Sequence, residues 1–307
     1  MDLALLQTAL ELGLICSLTV LALFLSYTML NVCDLSTDGC FTLGAAVGAV
    51  VALSGHPFLA LPAAMAAGMC SGFVTALLQT RMGINSLLAG IIVNTGLYSI
   101  NIWVMGGKSL LNLNKTDTVF VRAREMLEGT PLAGSASLVT AALAALATAL
   151  ILTLFLNTRL GLAIRATGNN PDMVRSSSIN PAFTTTVGLC VANAFTALSG
   201  CLLGQMQKSV NIDIGSGMVT IALASLLIGG TFLGRGGIFR RAMGMVLGSF
   251  LFRLVYTVAL RLEMPAYMLK LVSSGIIILA IAGPYLRTQW PMLRRRLTYG
   301  GAGKEGR

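Results

Sequence analysis

The acidic side chains best placed to bind an ion or a polar solute are Asp34 and Asp38, four residues apart in the segment NVCDLSTDG. A weakly similar segment, NIDIGSG, contains Asp213 and also precedes a short apolar run. Carboxylates in apolar surroundings need a cation, a donor or a helix terminus facing them. One hypothesis is therefore that these segments hold an ion or a solute.

Other polar side chains stand alone within apolar runs. Arg253 lies in GSFLFRLVYTVAL, where it must face protein, water or a carboxylate. We expect a packing or pairing role for it. The amides of Asn94, Asn101 and Asn193 are expected to hydrogen-bond between helices. The candidate pathway or packing residues are Asp34, Asp38, Asn94, Asn193 and Arg253.

Residues suited to catalysis are scarce in this sequence. The single histidine, His56, adjoins a proline, and the six cysteines form no CxxC pair or Cys/His cluster. No GxxxxGK[ST] phosphate-binding loop occurs either. We therefore expect no catalytic residue, no metal site, no cofactor and no ATPase site, so any ATP must be bound by a partner subunit.

The composition indicates a membrane protein. Of 307 residues, 55% are hydrophobic and only 10% are charged, with a mean hydropathy of +0.82. Soluble domains carry about 25% charged residues, which they need to cover their surface in water. The composition thus excludes a soluble enzyme.

Nine apolar runs predict an all-α fold, a polytopic bundle of nine transmembrane helices. The runs lie near residues 5–29, 40–55, 58–80, 86–105, 136–157, 186–207, 218–234, 244–262 and 267–286. The second run would form a helix of about 24 Å, shorter than a hydrocarbon core of about 30 Å. We expect it to be part of a broken element that protein covers.

The basic residues predict the orientation of the chain. Alternating the nine runs places 13 of the 21 Lys and Arg residues on one side and five on the other. By the positive-inside rule the richer side is cytoplasmic, so the N-terminus is outside and the C-terminus inside. We expect residues 1–307 to form a single transmembrane domain, with an external loop at 106–135 and a basic cytoplasmic tail at 287–307. The tail's arginines are expected to meet membrane lipid, and nothing indicates nucleic acid.

Small residues indicate how the helices pack. Four pairs have GxxxG spacing inside apolar runs, which allows close approach of helix backbones. The pairs are Gly44/Gly48, Gly68/Gly72, Gly200/Gly204 and Gly244/Gly248. The helices that follow the Asp34 and Asp213 segments would run in opposite directions, as in a weak inverted repeat.

The segment 158–185 is unusually polar for a connection between membrane helices. It is long enough for one or two short helices, which are predicted to begin at Asn170-Pro171 and to end before Asn180-Pro181. We expect such a structured loop to bind a soluble partner.

Three stretches, in order, resemble permeases of the ribose and branched-chain amino acid group of ABC importers. DLSTDGCFTLGAAVGA is similar to a DLSxG segment, RLGLAIRATGNNPDMVRSSSIN to the cytoplasmic coupling loop, and IALASLLIGGTFLGRGGIFRRAMGMVLG to a late glycine-rich segment. The similarity runs from about residue 12 to 286. Within the group, the chain is most similar to compact permeases for tryptophan and other aromatic amino acids.

The resemblance implies a multi-pass subunit of a bacterial inner membrane that pairs as a homodimer. It also implies two kinds of partner, a cytoplasmic ABC ATPase and an extracytoplasmic solute-binding protein. By position, the residues that would dock on the ATPase are Gly168, Asn170, Asp172, Met173, Ile179 and Asn180. This loop departs from the group in Pro171-Asp172-Met173 and in Ser178, where glycine is usual. The alternative is an ion-coupled secondary transporter using Asp34, Asp38 and Arg253.

Overall fold

The computed structural model describes residues 3–128, 133–234 and 236–261, together with 271, 274, 275 and 278. A first compact unit ends at Leu254, and a second begins at Val255. The predicted run 267–286 and the tail 287–307 lie outside these ranges almost entirely, as do Arg235 and Lys270.

The described elements are eleven α-helices and two short strands. In chain order they are α1 (Leu3–Leu23), α2 (Thr37–Leu53), α3 (Ala60–Thr80), α4 (Ser86–Val104), β1 (Leu110–Asn112), α5 (Val119–Met126), α6 (Ala136–Asn157), α7 (Arg159–Asn169), α8 (Pro171–Ser176), α9 (Pro181–Gln207), β2 (Ser209–Asn211), α10 (Met218–Leu233) and α11 (Ile238–Arg261). A π-helical turn, Phe24–Met29, continues α1.

The chain forms an all-α membrane bundle, as predicted. Among the described residues, six helices are long and apolar enough to cross a membrane, and they include the 27-residue α9. Two shorter apolar helices, α2 and α10, have 17 and 16 residues. Eight of the nine predicted runs correspond to these helices. The total of nine spans and the orientation of the chain ends stay predictions.

Two helices begin earlier in the chain than the apolar runs predicted. The second run was predicted from residue 40, but α2 begins at Thr37, and α9 begins at Pro181 instead of 186. α2 begins with the polar residues Thr37 and Asp38, and α9 follows the polar cap Asn180, whose side chain accepts from the N–H of Ala182, so apolar periodicity misses both starts. The end of the predicted loop 158–185 is therefore the first turn of α9.

The GxxxG pairs lie at helix contacts, as predicted. A Cβ on Gly200 would strike the carbonyl of Phe41 in α2, and one on Gly72 would meet that of Leu189 in α9 at 2.5 Å. Gly44, Gly48 and Gly68 also face α9, Gly204 faces β2 and α2, and Gly244 and Gly248 face α10. Backbones in contact at these glycines hold α2, α3 and α9 together, and separately α10 and α11.

The two ends of the bundle differ in structure. At the β end, β1 pairs antiparallel with β2, with Leu111 opposite Val210, so the predicted external loop lies beside the end of α9. At the opposite end, called the arginine end, Arg81 and Asn180 line one cavity of about 590 Å³. Arg241 lies over the ring of Phe24 there, 5.3 Å from its centroid.

Candidate functional site

Asp34 anchors the non-helical link between the π-helical turn and α2. Its side chain is buried, with 2% exposure. One carboxylate oxygen accepts from the backbone N–H of Ser36 at 2.8 Å, and the other accepts from Nδ2 of Asn193 at 2.9 Å. Asn193 lies near the middle of α9. Asn193 was expected to hydrogen-bond between helices, but its partner lies in the link before α2. The buried carboxylate has the donors that it requires.

Asp38, in the first turn of α2, caps a different helix. Its two carboxylate oxygens accept from the backbone N–H groups of Gly217 at 2.9 Å and Val219 at 2.8 Å, where α10 begins. Gly217 itself has φ 82° and no side chain that could cap the helix. A negative charge at a helix N-terminus satisfies free N–H groups and complements the helix dipole. Asp38 thus joins α2 to α10.

The N-termini of the two short helices therefore meet inside the bundle. Near the far end of α2, Ala52 packs in one cluster with Val210 of β2, at the β end. The far part of α10 runs the other way, so that Gly229 meets the backbone of Gly244 in α11. The two helices point away from a shared junction, while an inverted repeat of the bundle stays a prediction.

A polar cavity of about 320 Å³ opens beside this junction. Its lining residues come from α2, α4 and the segment before α10: Asp38, Gly39, Thr42, Asn94, Thr95, Tyr98, Asn101, Ile212, Asp213 and Ser216. Nδ2 of Asn101 donates to the carbonyl of Gly39 at 3.1 Å, which confirms the interhelical bond predicted for this amide. The cavity brings together Asp38, Asn94 and Asp213 from the sequence-predicted residues.

Thr95, Tyr98 and Ser216 were not predicted to belong to a site. The sequence does contain a signal for two of them. Asn94, Thr95, Tyr98 and Asn101 occupy positions i, i+1, i+4 and i+7 of one helix, a polar stripe on a single face. A search for hydroxyl side chains together with amide side chains would have revealed this stripe.

Arg253 has a different environment from either aspartate. Its guanidinium donates to Sγ of Cys16 at 2.9 Å, where α11 packs on α1. One turn earlier, Ser249 donates to the carbonyl of Gly13 at 2.7 Å. The contacts of Asp34, Asp38 and Arg253 thus reach three different elements, which are α9, the start of α10 and α1.

The segment 158–180 folds as two short helices whose starts are capped. Oδ1 of Asn170 accepts from the N–H groups of Asp172 and Met173, both at 3.1 Å, and so begins α8. Oδ1 of Asn180 accepts from the N–H of Ala182 at 2.9 Å and begins α9. The pair Asn170-Pro171 thus starts a helix, as predicted, whereas Asn180-Pro181, predicted to follow the end of a short helix, also starts α9.

This segment is seated on the end of α1. A Cβ at Gly168 would strike the carbonyl of Met29 and meet Leu30 at 2.8 Å. Thr167 and Thr184 hydroxyls lie 2.8 Å apart, which ties α7 to α9, and Ile164 is fully buried. The helix pair is therefore held against the bundle at its inner side.

The outer side of the same segment is exposed and partly apolar. Met173 is 51% exposed and Ile179 is 38% exposed. Asp172 lies 3.4 Å from Arg175 in an exposed ion pair, which contributes little stability. Of the six residues predicted to dock on a partner, the structure exposes Asn170, Asp172, Met173, Ile179 and Asn180, and it turns Gly168 partly inward.

The described residues contain no cluster of side chains that could bind a metal ion. In residues 3–128, 133–234 and 236–261, no group of three or more His, Cys, Asp or Glu side chains could hold an ion. The carboxylates of Asp34 and Asp38 instead accept from amide and backbone N–H groups.

Comparison with known proteins is consistent with this geometry. A model of a protein family described as branched-chain amino acid transport system / permease component matches residues 5–281. The chain is 32% identical, over 272 residues and 88% of each protein, to a tyrosine transport system permease protein of Clostridioides difficile. It is 31% identical to an uncharacterized protein of Rickettsia prowazekii, over 72% of this chain and 75% of that protein. No solved structure matches the chain.

Proposed function

The chain belongs to the branched-chain amino acid transport system permease family, and on that premise we propose that it is the membrane subunit of an ABC importer. In this proposal a homodimer in the bacterial inner membrane forms the pathway. An extracytoplasmic binding protein delivers the solute, and a separate ABC ATPase binds the ATP. The solute is an aromatic amino acid, since the relative from Clostridioides difficile is named for tyrosine transport.

The observation that carries the proposal is the capped helix pair at the arginine end. A segment that connects two membrane helices needs no exposed apolar side chains, yet Met173 and Ile179 are exposed on it. Exposed apolar groups framed by polar ones are typical of protein interaction sites. A cytoplasmic ATPase is the partner that fits such a site in this family.

The contacts suggest how force from that partner would reach the pathway. Gly168 presses α7 on Met29, the last residue of the π-helical turn. The next residues form the link that Asp34 ties to Asn193, and four positions further Asp38 caps α10. π-Helical turns are frequent at functional sites, and close-packed elements transmit displacement. Motion of α8 would thus tilt the junction of the two short helices.

The test introduces one negative charge at an exposed methionine, at either end of the molecule. Met173→Asp should abolish binding of the cognate ATPase to the purified permease and ATP-driven tyrosine uptake in proteoliposomes. Met126→Asp is the matched control, because Met126 is 73% exposed but lies on α5, at the β end. It should leave ATPase binding unchanged.

Two results would contradict the proposal. One is unaltered ATPase binding by Met173→Asp in a folded permease. The other is uptake by the permease alone when an ion gradient is imposed without ATPase or ATP, which would identify a secondary transporter.

A further inference from the structure

The polar cavity contains a buried acceptor that the protein leaves unused. Asn101 is 1% exposed, and its Nδ2 donates to the carbonyl of Gly39. Its Oδ1 is buried and has no hydrogen-bond partner within the described residues. Because an unsatisfied buried oxygen is costly, this amide is poised to accept from a group that enters the cavity.

The charge of the cavity indicates which donor it favours. Two lining residues, Asp38 and Asp213, carry negative charge, and no lysine, arginine or histidine lines it. Both carboxylate oxygens of Asp38 already accept backbone N–H groups, whereas Asp213 is exposed at the rim. A cation with several N–H donors matches this lining, and a primary ammonium group is the simplest one.

The place and size of the cavity suit a solute in transit. It lies where the N-termini of two short, opposed helices meet, the kind of position where transporters hold their solutes. Its volume of about 320 Å³ is at the lower end of the range for small-molecule sites. Tyr98 and Ile212 supply aromatic and apolar surface beside the polar groups.

We propose that this cavity is a transit site that recognises the α-ammonium group of an amino acid. Oδ1 of Asn101 accepts one of its hydrogen bonds, and Asp213 supplies the countercharge. The assignment to an amino acid in transit rests on the proposed function, while the preference for a cation rests on the cavity alone. No lysine, arginine or histidine lines the cavity to pair with a solute carboxylate, so the ion pair is made by the ammonium group.

The charge preference can be measured on the purified full-length permease in nanodiscs. Thr95 lines the cavity and is exposed, so Thr95→Cys provides a reporter thiol. Its reaction rates with 2-aminoethyl and 2-sulfonatoethyl methanethiosulfonate are compared, after subtraction of the wild-type background. Ser54→Cys, in an exposed loop at the β end, is the matched control.

We expect the ratio of cationic to anionic rates to be about tenfold higher at Thr95→Cys than at the control, as one or two nearby charges would produce. Adding Asp213→Asn should reduce this excess severalfold without affecting folding, because the side chain is exposed. Equal ratios at the two thiols would overturn the proposal.

Protection of the same thiol tests the acceptor. Tyramine and L-tyrosine should slow labelling of Thr95→Cys, whereas 3-(4-hydroxyphenyl)propionate, which lacks the ammonium group, should not. Asn101→Ala should weaken protection about tenfold, as expected for loss of a hydrogen bond to a charged group, and leave the charge ratio unchanged. Equal protection by the propionate, or undiminished protection in Asn101→Ala, would overturn the proposal.

These measurements use neither ATPase nor binding protein, so they separate the two proposals. Cation-selective labelling without ATP-driven uptake would overturn the proposed function and leave the cation preference of the cavity standing. ATP-driven uptake together with equal labelling ratios at the two thiols would overturn the cavity assignment and leave the proposed function standing.

Discussion

Replacing the carboxylate of Asp38 should destabilise the permease, and Asp38→Ala should do so more than Asp38→Asn. Asp38 accepts two backbone N–H groups at the start of α10, and no other side chain caps that helix among the contacts described. A hydrogen bond to a charged group contributes about 1.5 to 3 kcal/mol, and loss of a helix cap costs about 0.5 to 2 kcal/mol. Since Asp38 is half-buried, we use the lower part of these ranges.

Asp38→Asn keeps one acceptor oxygen but turns its amide group toward the other N–H. We expect a loss of about 1 to 2 kcal/mol in the free energy of unfolding. Asp38→Ala removes both acceptors, so the expected loss is about 3 kcal/mol. At about 2 to 4 °C per kcal/mol for a chain of this size, the Tm should fall by about 4 °C and about 9 °C respectively.

The assay is thermal unfolding of the purified permease in detergent, followed by tryptophan fluorescence. Asp213→Asn is the control, because Asp213 borders the same cavity with an exposed side chain. It should change the Tm by less than 2 °C, roughly the size of a surface effect. If Asp38 were instead an empty ion site, neutralising it would raise the Tm in ion-free buffer. A Tm that is unchanged or raised in Asp38→Ala would therefore refute the capping argument.

Two further predictions concern the segment at the arginine end. Ser178 has φ 62°, a left-handed conformation that costs a residue with a Cβ about 1 to 2 kcal/mol. Ser178→Gly should therefore have a Tm equal to or above that of the wild type. The β-branched Ser178→Val should have a lower Tm. Identical Tm values for both variants would contradict that reading. Gly168→Ala should lower the Tm and impair coupling of ATP hydrolysis to uptake, because the new Cβ strikes the carbonyl of Met29. Gly96→Ala on α4 is the control, since its Cβ meets no atom within 4 Å and should leave both quantities unchanged. Equal effects of the two alanines, in Tm and in uptake per ATP, would contradict the proposed seat of α7.

Much of the fold could be predicted because its signals are local. Apolar runs about 20 residues long predict the spanning helices, and a run too short to span predicts α2, which is buried along most of its length. GxxxG spacing predicts which helix faces pack. The cap at Asn170 follows from its Asn-Pro pair, because a cap binds N–H groups only two or three residues away.

The polar cavity was harder to predict, since its residues come from three segments. Asp34 and Asp38 were predicted together as one candidate ion or solute site, yet they bind donors in different elements. The hydroxyls of Thr95 and Ser216 contribute lining that no spacing rule connects. Arg253 was expected to have a packing or pairing role, and the structure shows its guanidinium donating to Sγ of Cys16 in α1, 237 positions away.

By itself, the sequence determined that the chain is a helical membrane protein, where its helices lie and where the exposed loop at the arginine end begins. These properties depend on composition and on contacts between residues a few positions apart. Only the tertiary structure decided what the acidic groups do, because Asp38 meets the N–H of Gly217 across 179 residues and Asp34 meets Asn193 across 159. Burial of a carboxylate is tolerated only where distant donors converge on it, and that convergence is a property of the packed helices.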